Sequence, residues 1–399
     1  MVTTQERVSR AEVGEPDVLV SVVIPCLNEA ETIDACVAKA RGGLRKIDLP
    51  GEVVVADNGS SDGSQQLARD AGARVVDVAE RGYGAALMGG IRAARGRYVV
   101  MADADDTYDL AGIAPFVTSL ERGHDLVLGN RFTGGIAAGA MPRLNRLIGN
   151  PVLTGIGRLF FRSPVGDFHC GLRAFRRDAI LDLGLSATGM EFASEMIVKA
   201  TLAGLRITEV PTTLVPGRDG RQPHLRPFRD GWRHLRLLLL YSPTWLFLYP
   251  GIALFVAGLG LTIALLPGPI IVGRIRFDVH TLLYAQTAAV LGSQTIIFAV
   301  LAKVFGISQG VLPENPLLKK ITRRVTLERG LIVGGLLLLA GFVGSILAVF
   351  RWGQNSFGRL NYEDTLRIAI PSVGLFVIGF QTVVASFFLS ILGLTRRDR

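Results

Sequence analysis

Four stretches of this chain contain no Asp, Glu, Lys, Arg or His: residues 244–266, 281–302, 331–350 and 370–394. Each is about as long as the ~20 apolar residues that a helix needs to cross a hydrocarbon core. They predict four transmembrane helices. The alternative, buried helices in one large soluble core, does not account for so many uncharged runs in the C-terminal part of a 399-residue chain.

Composition matters here because it is uneven. The chain is 49% hydrophobic and 19% charged, and most acidic residues lie before position 240. A soluble part is therefore fused to a membrane part. The net charge of +9 suits nucleic acid, an anionic membrane surface or a phosphorylated substrate. Because many cations flank the apolar runs, the membrane reading leads and nucleic acid is not expected. Cys26, Cys36 and Cys170 are the three cysteines; with no CxxC and no His partner at ligand spacing, neither a disulfide framework nor a zinc site is expected.

Loop charges set the orientation. Arg218, Arg221, Arg226, Arg229, Arg233 and Arg236 precede the first span, and Lys303, Lys319, Lys320, Arg323, Arg324 and Arg329 lie between the second and third. The opposite loops hold Arg274 and Arg276, then Arg351, Arg359 and Arg367, and the tail carries Arg396, Arg397 and Arg399. The positive-inside rule makes the soluble domain, the middle loop and the C-terminus cytoplasmic. Residues 1–17 are polar with no apolar h-region, so they are expected to be a flexible N-terminus without a signal peptide. Spans without ionisable residues disfavour an ion-coupled transporter and suggest an anchor or a lipid-handling scaffold.

From residue 18 the chain alternates β-branched runs (18–24, 52–56, 74–78, 98–102, 125–128) with helical stretches (29–44, 64–71, 84–94, 110–122). That rhythm predicts an α/β domain, Rossmann-like with a mostly parallel sheet, over 18–225. Its ligands are expected beyond the carboxyl ends of the strands. Strand one runs into Pro25-Cys26-Leu27-Asn28-Glu29, strand two into Asp57-Asn58-Gly59-Ser60-Ser61-Asp62-Gly63, and strand four into Asp103-Ala104-Asp105-Asp106. A dinucleotide oxidoreductase would want GxGxxG after strand one; the nearest substitute, Gly82-Tyr83-Gly84, follows strand three. Asp103 and Asp105, at i and i+2, point the same way in an extended segment. Such a pair suits a hard divalent cation that neutralises a diphosphate, or else a solvated turn.

These segments, with Gly129-Asn130-Arg131, resemble the successive signatures of inverting GT-A glycosyltransferases of family two. More closely they resemble the polyprenyl-phosphate glycosyltransferases, which include dolichyl-phosphate mannose and glucose synthases. Asp167-Phe168-His169-Cys170-Gly171-Leu172-Arg173 is similar to that group's Asp-x-x-Ser-Gly-Phe-Arg stretch, with Cys170 in place of Ser. The resemblance implies a UDP- or GDP-hexose donor, a polyprenyl phosphate acceptor, Mg²⁺ or Mn²⁺, and inversion at the anomeric carbon. It implies that Pro25, Asn28, Glu29, Asp57, Gly84, Asp103 and Ala104 line the nucleotide-sugar. Asp103, Asp105 and Arg131 would be catalytic, and Asp105 would hold the metal. Relatives often continue Asp-Ala-Asp with Leu-Gln; here Asp106 or Thr107 stands in as the second ligand. Arg218 to His224 only echo the group's later Arg-x-x-Gly-x-Ser-Lys pattern.

Two segments have the form of helices lying in a membrane interface. Residues 142–161 set Leu144, Leu147, Ile148, Val152, Leu153, Ile156, Leu159 and Phe160 among Arg143, Arg146, Arg158 and Arg162. Residues 226–242 mix Phe228, Trp232, Leu235 and residues 237–240 with arginines, and lead into a transmembrane domain over 243–399. Arg131, Arg143 and Arg146 are the candidate ligands of the acceptor phosphate. Glu191 and Glu195 are candidates for the acceptor side, and Gly334, Gly335, Gly341 and Gly344 for a homo-oligomer contact. Two rival functions remain: a processive polysaccharide synthase, for which Gly231-Trp232-Arg233 has the wrong order, and a non-catalytic scaffold or lipid translocase.

Overall fold

The computed structural model describes residues 18–217, 227–313, 326–354, 357 and 362–394. Outside them lie the N-terminus 1–17, the 218–224 pattern, Arg226, Lys319, Lys320, Arg323, Arg324, Arg359 and the arginines of the tail. The chain forms two compact units that part after Leu238.

The first unit is built on a seven-stranded sheet. Its strands are β1 (Val20–Cys26), β2 (Gly51–Asp57), β3 (Arg74–Asp77), β4 (Tyr98–Met101), β5 (Leu126–Asn130), β6 (Arg173–Arg176) and β7 (Ile207–Pro211), in the order β3-β2-β1-β4-β6-β5-β7. β6 runs antiparallel to β4 and β5, and the other neighbouring pairs are parallel. The helices between them are α1 (Ile33–Ile47), α2 (Ser64–Asp70), α3 (Tyr83–Ala93) and α4 (Ala114–Glu121), then the single turn α5 (Arg131–Gly134) and α6 (Asn150–Phe161). α7 (Arg177–Leu181), α8 (Phe192–Leu202) and α9 (Pro227–Leu240) complete the unit's helices, α9 running just past its end. Period-two alternation sends Val20, Val22 and Ile24 into one core with Ile33, Val37 and Ala40 of α1 and Phe116, Val117 and Leu120 of α4. Val23 faces the other way, against α3 at Gly90. Covered on both faces, β1 reads as an unbroken apolar run.

Two differences from the sequence reading have local causes. α1 starts at Ile33 rather than Glu29, because the N–H groups of Asn28, Glu29 and Ala30 donate to the side chains of Ser60, Ser64 and Asp62 at 2.9, 2.8 and 2.9 Å. That leaves 28–32 a turn clamped to the loop after β2. β6 and β7 escape the apolar pattern because each carries a polar residue, Arg173 and Glu209, that binds the neighbouring loops.

The segment 142–161 forms a π-helical turn, Asn145–Gly149, running into α6. The same device recurs at Thr244–Leu248 ahead of Tyr249. In each case a proline, Pro151 or Pro250, follows by two residues. A proline inside a helix donates no N–H and crowds the carbonyl four residues back, and widening the turn before it relieves both. Leu147 (71% exposed), Ile148, Val152 and Leu159 stand outside the core. On α9, Phe228 (84% exposed) and Trp232 are likewise uncovered, but Leu237 and Leu238, apolar residues of the same segment, are buried, as are Asp230 and His234.

The second unit comprises α10 (Tyr249–Leu265), a hairpin of β8 (Ile270–Val272) and β9 (Ile275–Phe277), α11 (Val279–Ser308), α12 (Leu327–Gln354) and α13 (Tyr362–Leu394). Among the described residues, four helical segments are long and apolar enough to span a bilayer. Small residues bring backbones together, since lipid provides no hydrophobic drive between helices. A Cβ on Gly258 would stand 2.4 Å from the Ala289 nitrogen, and one on Gly292 2.3 Å from the Phe255 nitrogen. Gly334, Gly341 and Gly344 are closed in the same way against α13, so these three glycines are used within the chain; Gly335 faces open space. Arg367 is buried in the first turns of α13, where it donates to the Leu265 carbonyl and pairs with Asp278, whose neighbour Arg276 also reaches Glu363 at 2.8 Å.

Leucine at Gly258 is therefore expected to destabilise this unit by about 1–3 kcal/mol or more, as overpacking does. Leucine at Gly260, which nothing approaches, is expected to leave the thermal transition of detergent-solubilised protein where it is.

Candidate active site

The strand ends decide what meets. β1, β2, β4, β5 and β7 all point their carboxyl ends to one edge, and antiparallel β6 brings its first residue, Arg173, to the same edge opposite Met101 and Leu128. Asp57, the last residue of β2, has one carboxylate oxygen saturated, by the N–H groups of Gly59 and Ser60 at 2.9 and 3.0 Å and by Gln65 Nε2 at 2.7 Å. Its other oxygen is buried and has no partner among the described residues. Burial works to raise this carboxyl, and the bonds from Ser60, Gln65 and Gly59 outweigh it, holding Asp57 below the usual carboxylate range. An ionised carboxylate oxygen is an acceptor of hydroxyl and N–H groups.

Asn28 adopts φ 57° and accepts from the Ser61 N–H at 2.9 Å, so it ties the loop after β1 to the loop after β2. Glu29 is buried, and its backbone N–H donates to the Ser64 hydroxyl at 2.8 Å. Pro25 is buried within β1, paired with Ala56. Gly84 serves the polypeptide itself: its N–H donates to Thr188 O at 2.9 Å, and a Cβ there would stand 2.2 Å from Ala187 O.

The Asp103-Ala104-Asp105 segment is held from three directions. Tyr83 donates its hydroxyl to Asp103 Oδ1 at 2.7 Å, Thr32 bonds Ala104 O at 2.7 Å, and Thr107 Oγ1 donates to Asp105 Oδ1 at 2.6 Å. Removal from water, then the charge of Asp105, push the Asp103 carboxyl up to about 6; Tyr83, Arg131 and Arg173 pull it partly back. Asp106 turns the other way, at φ 59°, and pairs with Lys39 of α1 at 2.7 Å, so one of its oxygens is taken. Among the described residues no group of three or more His, Cys, Asp or Glu is arranged to hold a metal ion. Two carboxylates at i and i+2 nevertheless fit Mg²⁺ or Mn²⁺, which take one or two carboxylates and fill the remaining positions with substrate phosphate and water.

Arg131 follows β5 directly and is buried, 7% exposed. Asp167 grips it bidentately, at 2.7 Å to Nε and 2.8 Å to Nη2, and also accepts its backbone N–H at 3.1 Å. Glu209 fixes Asp167 in turn by accepting the N–H groups of 166 and 167 at 2.8 and 3.0 Å. Arg143 and Arg146 are exposed on the π-helical segment and its approach. Glu195 is structural: it accepts from Ser186 and Ala187 and pairs with Lys199 at 2.9 Å.

Several residues at this edge carried no sequence assignment. Arg173, with no exposed surface, donates to the carbonyls of Cys170, Ala193 and Phe168 at 2.9, 2.6 and 2.8 Å. Tyr108 accepts the Gly171 N–H at 3.0 Å. His234 bonds the Ser194 hydroxyl through Nδ1 at 2.8 Å and meets His169 edge to face, ring centres 4.7 Å apart. The available signal was the spacing of Asp230 and His234: two polar residues four apart on one stripe of a helix whose opposite stripe carries exposed Phe228 and Trp232.

Burial drives His234 down to about 4 against the pull of Glu191 and Asp230. It therefore stays neutral in the fold while the unfolded chain takes up a proton near 6.5. Its stabilisation is whole above pH 6.5 and is lost as the pH falls toward 4. Melting wild type and His234→Gln across pH 7.5 to 4.5 is expected to give a difference that shrinks with falling pH.

The chain is similar to known proteins along most of its length. Residues 21–184 match the description glycosyl transferase family 2, and residues 300–393 match the glycosyltransferase family 2 C-terminal transmembrane region. The low-salt glycan biosynthesis hexosyltransferase Agl6 of Haloferax volcanii is 37% identical over 375 residues, 94% of this chain and 89% of its own. The dolichyl-phosphate hexose transferase of the same organism is 34% identical over 213 residues, 53% of this chain and 88% of its own. Glucosyl-3-phosphoglycerate synthase from Mycobacterium tuberculosis, crystallised with Mn²⁺, UDP and glucosyl-3-phosphoglycerate, is 23% identical, with 56% of this chain and 78% of that chain covered and a TM-score of 0.43.

Proposed function

The chain belongs to glycosyltransferase family 2 as a multi-pass membrane enzyme, and from that premise we propose that it moves a hexose from a UDP- or GDP-sugar to a polyprenyl phosphate, with inversion. The observation that carries this reading is the meeting, at one sheet edge, of the unpartnered oxygen of Asp57 with the Asp103 and Asp105 carboxylates. The name of the dolichyl-phosphate hexose transferase supports a lipid phosphate as acceptor. So do the exposed leucines of 144–159, which alternate with Arg143, Arg146 and Arg158 in the manner of an interfacial helix.

Asp57 takes a hydroxyl or N–H of the nucleoside on its free oxygen. Asp103, oriented by Tyr83, positions the sugar end of the donor. Asp105 with Asp103 holds Mg²⁺ or Mn²⁺, which when bound neutralises the diphosphate leaving group. Arg131, locked to Asp167, contributes a fixed positive charge beneath the carboxylates, while Arg143 and Arg146 hold the acceptor phosphate. A phosphomonoester oxygen is already anionic at neutral pH, so it attacks the anomeric carbon without a strong base. The sugar–phosphate bond to the nucleotide breaks as the new one forms, releasing nucleoside diphosphate. Catalysis is then mainly positioning and charge stabilisation of two anionic substrates. The loop charges support a cytoplasmic catalytic unit, middle loop and C-terminus.

The test is transfer from labelled UDP- and GDP-sugars to a short polyprenyl phosphate by detergent-purified protein. One donor is expected to give a lipid product that EDTA abolishes, and Asp105→Ala is expected to lose roughly 10²-fold or more in kcat. Polymer, or no lipid product from any donor, would overturn the reading. Replacing Arg143 and Arg146 together by Ala is expected to raise KM for the lipid about 10-fold or more while KM for the donor holds.

A further inference from the structure

Nearly all buried polar atoms in a folded protein find a partner. Among the described residues the buried side-chain atoms without one are Asp57 Oδ1, both ring nitrogens of His169, Glu191 Oε2 and a threonine hydroxyl in the second unit. Asp57 is accounted for by the nucleoside. The remaining first-unit atoms belong to two segments: one touches Asp103, and the other is tied to the start of α3, beside the tyrosine that bonds Asp103.

His169 stands two residues after Asp167 and two before Gly171. A Cβ on Gly171 would lie 2.1 Å from Asp103 Oδ2, so this loop touches the carboxylate directly. Glu191 follows the turn at 188–189, whose Thr188 carbonyl accepts the N–H groups of Gly84 and Ala85, next to the tyrosine that bonds Asp103. His234 stands edge to face on His169, with its own Nδ1 engaged by Ser194.

We propose that His169 and Glu191 form a subsite that reads hydroxyl groups of the transferred sugar beside Asp103. The assignment rests on the donor-sugar reading above and names the residues that choose the sugar. Its chemistry separates it from the phosphate sites. Burial first, then the nearby His234, Arg131 and Arg173, hold His169 well below the usual imidazole range, so it is neutral and offers one donor and one acceptor. Glu191 offers a carboxylate oxygen. A neutral ring that both donates and accepts, with a carboxylate oxygen that accepts, matches hydroxyls, each of which donates and accepts.

The experiment titrates the full-length protein in detergent with UDP-glucose, UDP-N-acetylglucosamine and GDP-mannose, and with UDP and GDP alone. For the sugar nucleotide that binds tightest, His169→Ala and Glu191→Gln are each expected to weaken binding roughly 10- to 100-fold, with the bare diphosphate within about 2-fold of wild type. His169→Gln, which restores a donor and an acceptor, is expected to recover part of the loss. Monodeoxy analogues of that sugar are expected to bind wild type more weakly, and to lose little further in the variant that removes their partner. Equal weakening of sugar nucleotide and bare diphosphate, or no change in either, overturns the subsite and leaves buried water as the partner of these atoms. If a variant fails to fold, the deoxy analogues on wild-type protein decide: undiminished affinity for all of them overturns the proposal. Wild type that binds sugar nucleotides but transfers nothing to polyprenyl phosphate refutes the acceptor reading while the binding ratios still judge the subsite.

Discussion

The edge where chemistry is expected depends on one buried ion pair. Arg131 and Asp167 have side chains that are 8% and 0% exposed and meet at 2.7 Å. Removing either partner would strand the other charge, at a cost of about 3–5 kcal/mol. The pair is bidentate, so it fixes direction as well as distance. Everything from 166 to 171 hangs on it: Glu209 braces the turn from below, Arg173 ties the carbonyls of Phe168 and Cys170, and Gly171 is delivered against Asp103. The Asp103 carboxylate is thus backed by two buried guanidinium groups, Arg131 and Arg173.

Positive charge is divided by solvation. Arg131 and Arg173 are enclosed and committed to protein acceptors, so they set the local field and do not move. Arg143, Arg146 and Arg158 are exposed on an element whose leucines are also exposed. Long basic side chains with apolar stems beside uncovered leucines are what an interface between water and hydrocarbon rewards. The membrane unit has the opposite economy: its helices approach through glycines, and the charges of Arg367, Asp278, Arg276 and Glu363 gather at the helix ends.

Much of the first unit was legible because strands buried on both faces leave an unmistakable apolar run, and polar loops follow them at the same edge. Asp57, Asp103 and Asp105 were placed at that edge this way, and the structure sets them there. What escaped were polar residues inside regular elements. Arg173 begins a strand and Glu209 sits in another, and neither pattern nor spacing tells that each is satisfied by a loop distant in sequence. Gly84, expected at the nucleotide-sugar, is packed closely against residues 187–189, a neighbourhood that local sequence does not reveal.

The sequence by itself determined what the chain is divided into and which chemistry it carries. Uncharged runs of bilayer length and acidic loops after apolar strands are local properties, and hydrophobic partition and strand pleat act on them wherever they are placed. Only the tertiary structure decided which charges are paired and which are left open. Asp106 is taken by Lys39 and Arg131 by Asp167, whereas Asp57, His169 and Glu191 keep atoms free. Pairing depends on distances between residues far apart in the chain, and no local pattern encodes those.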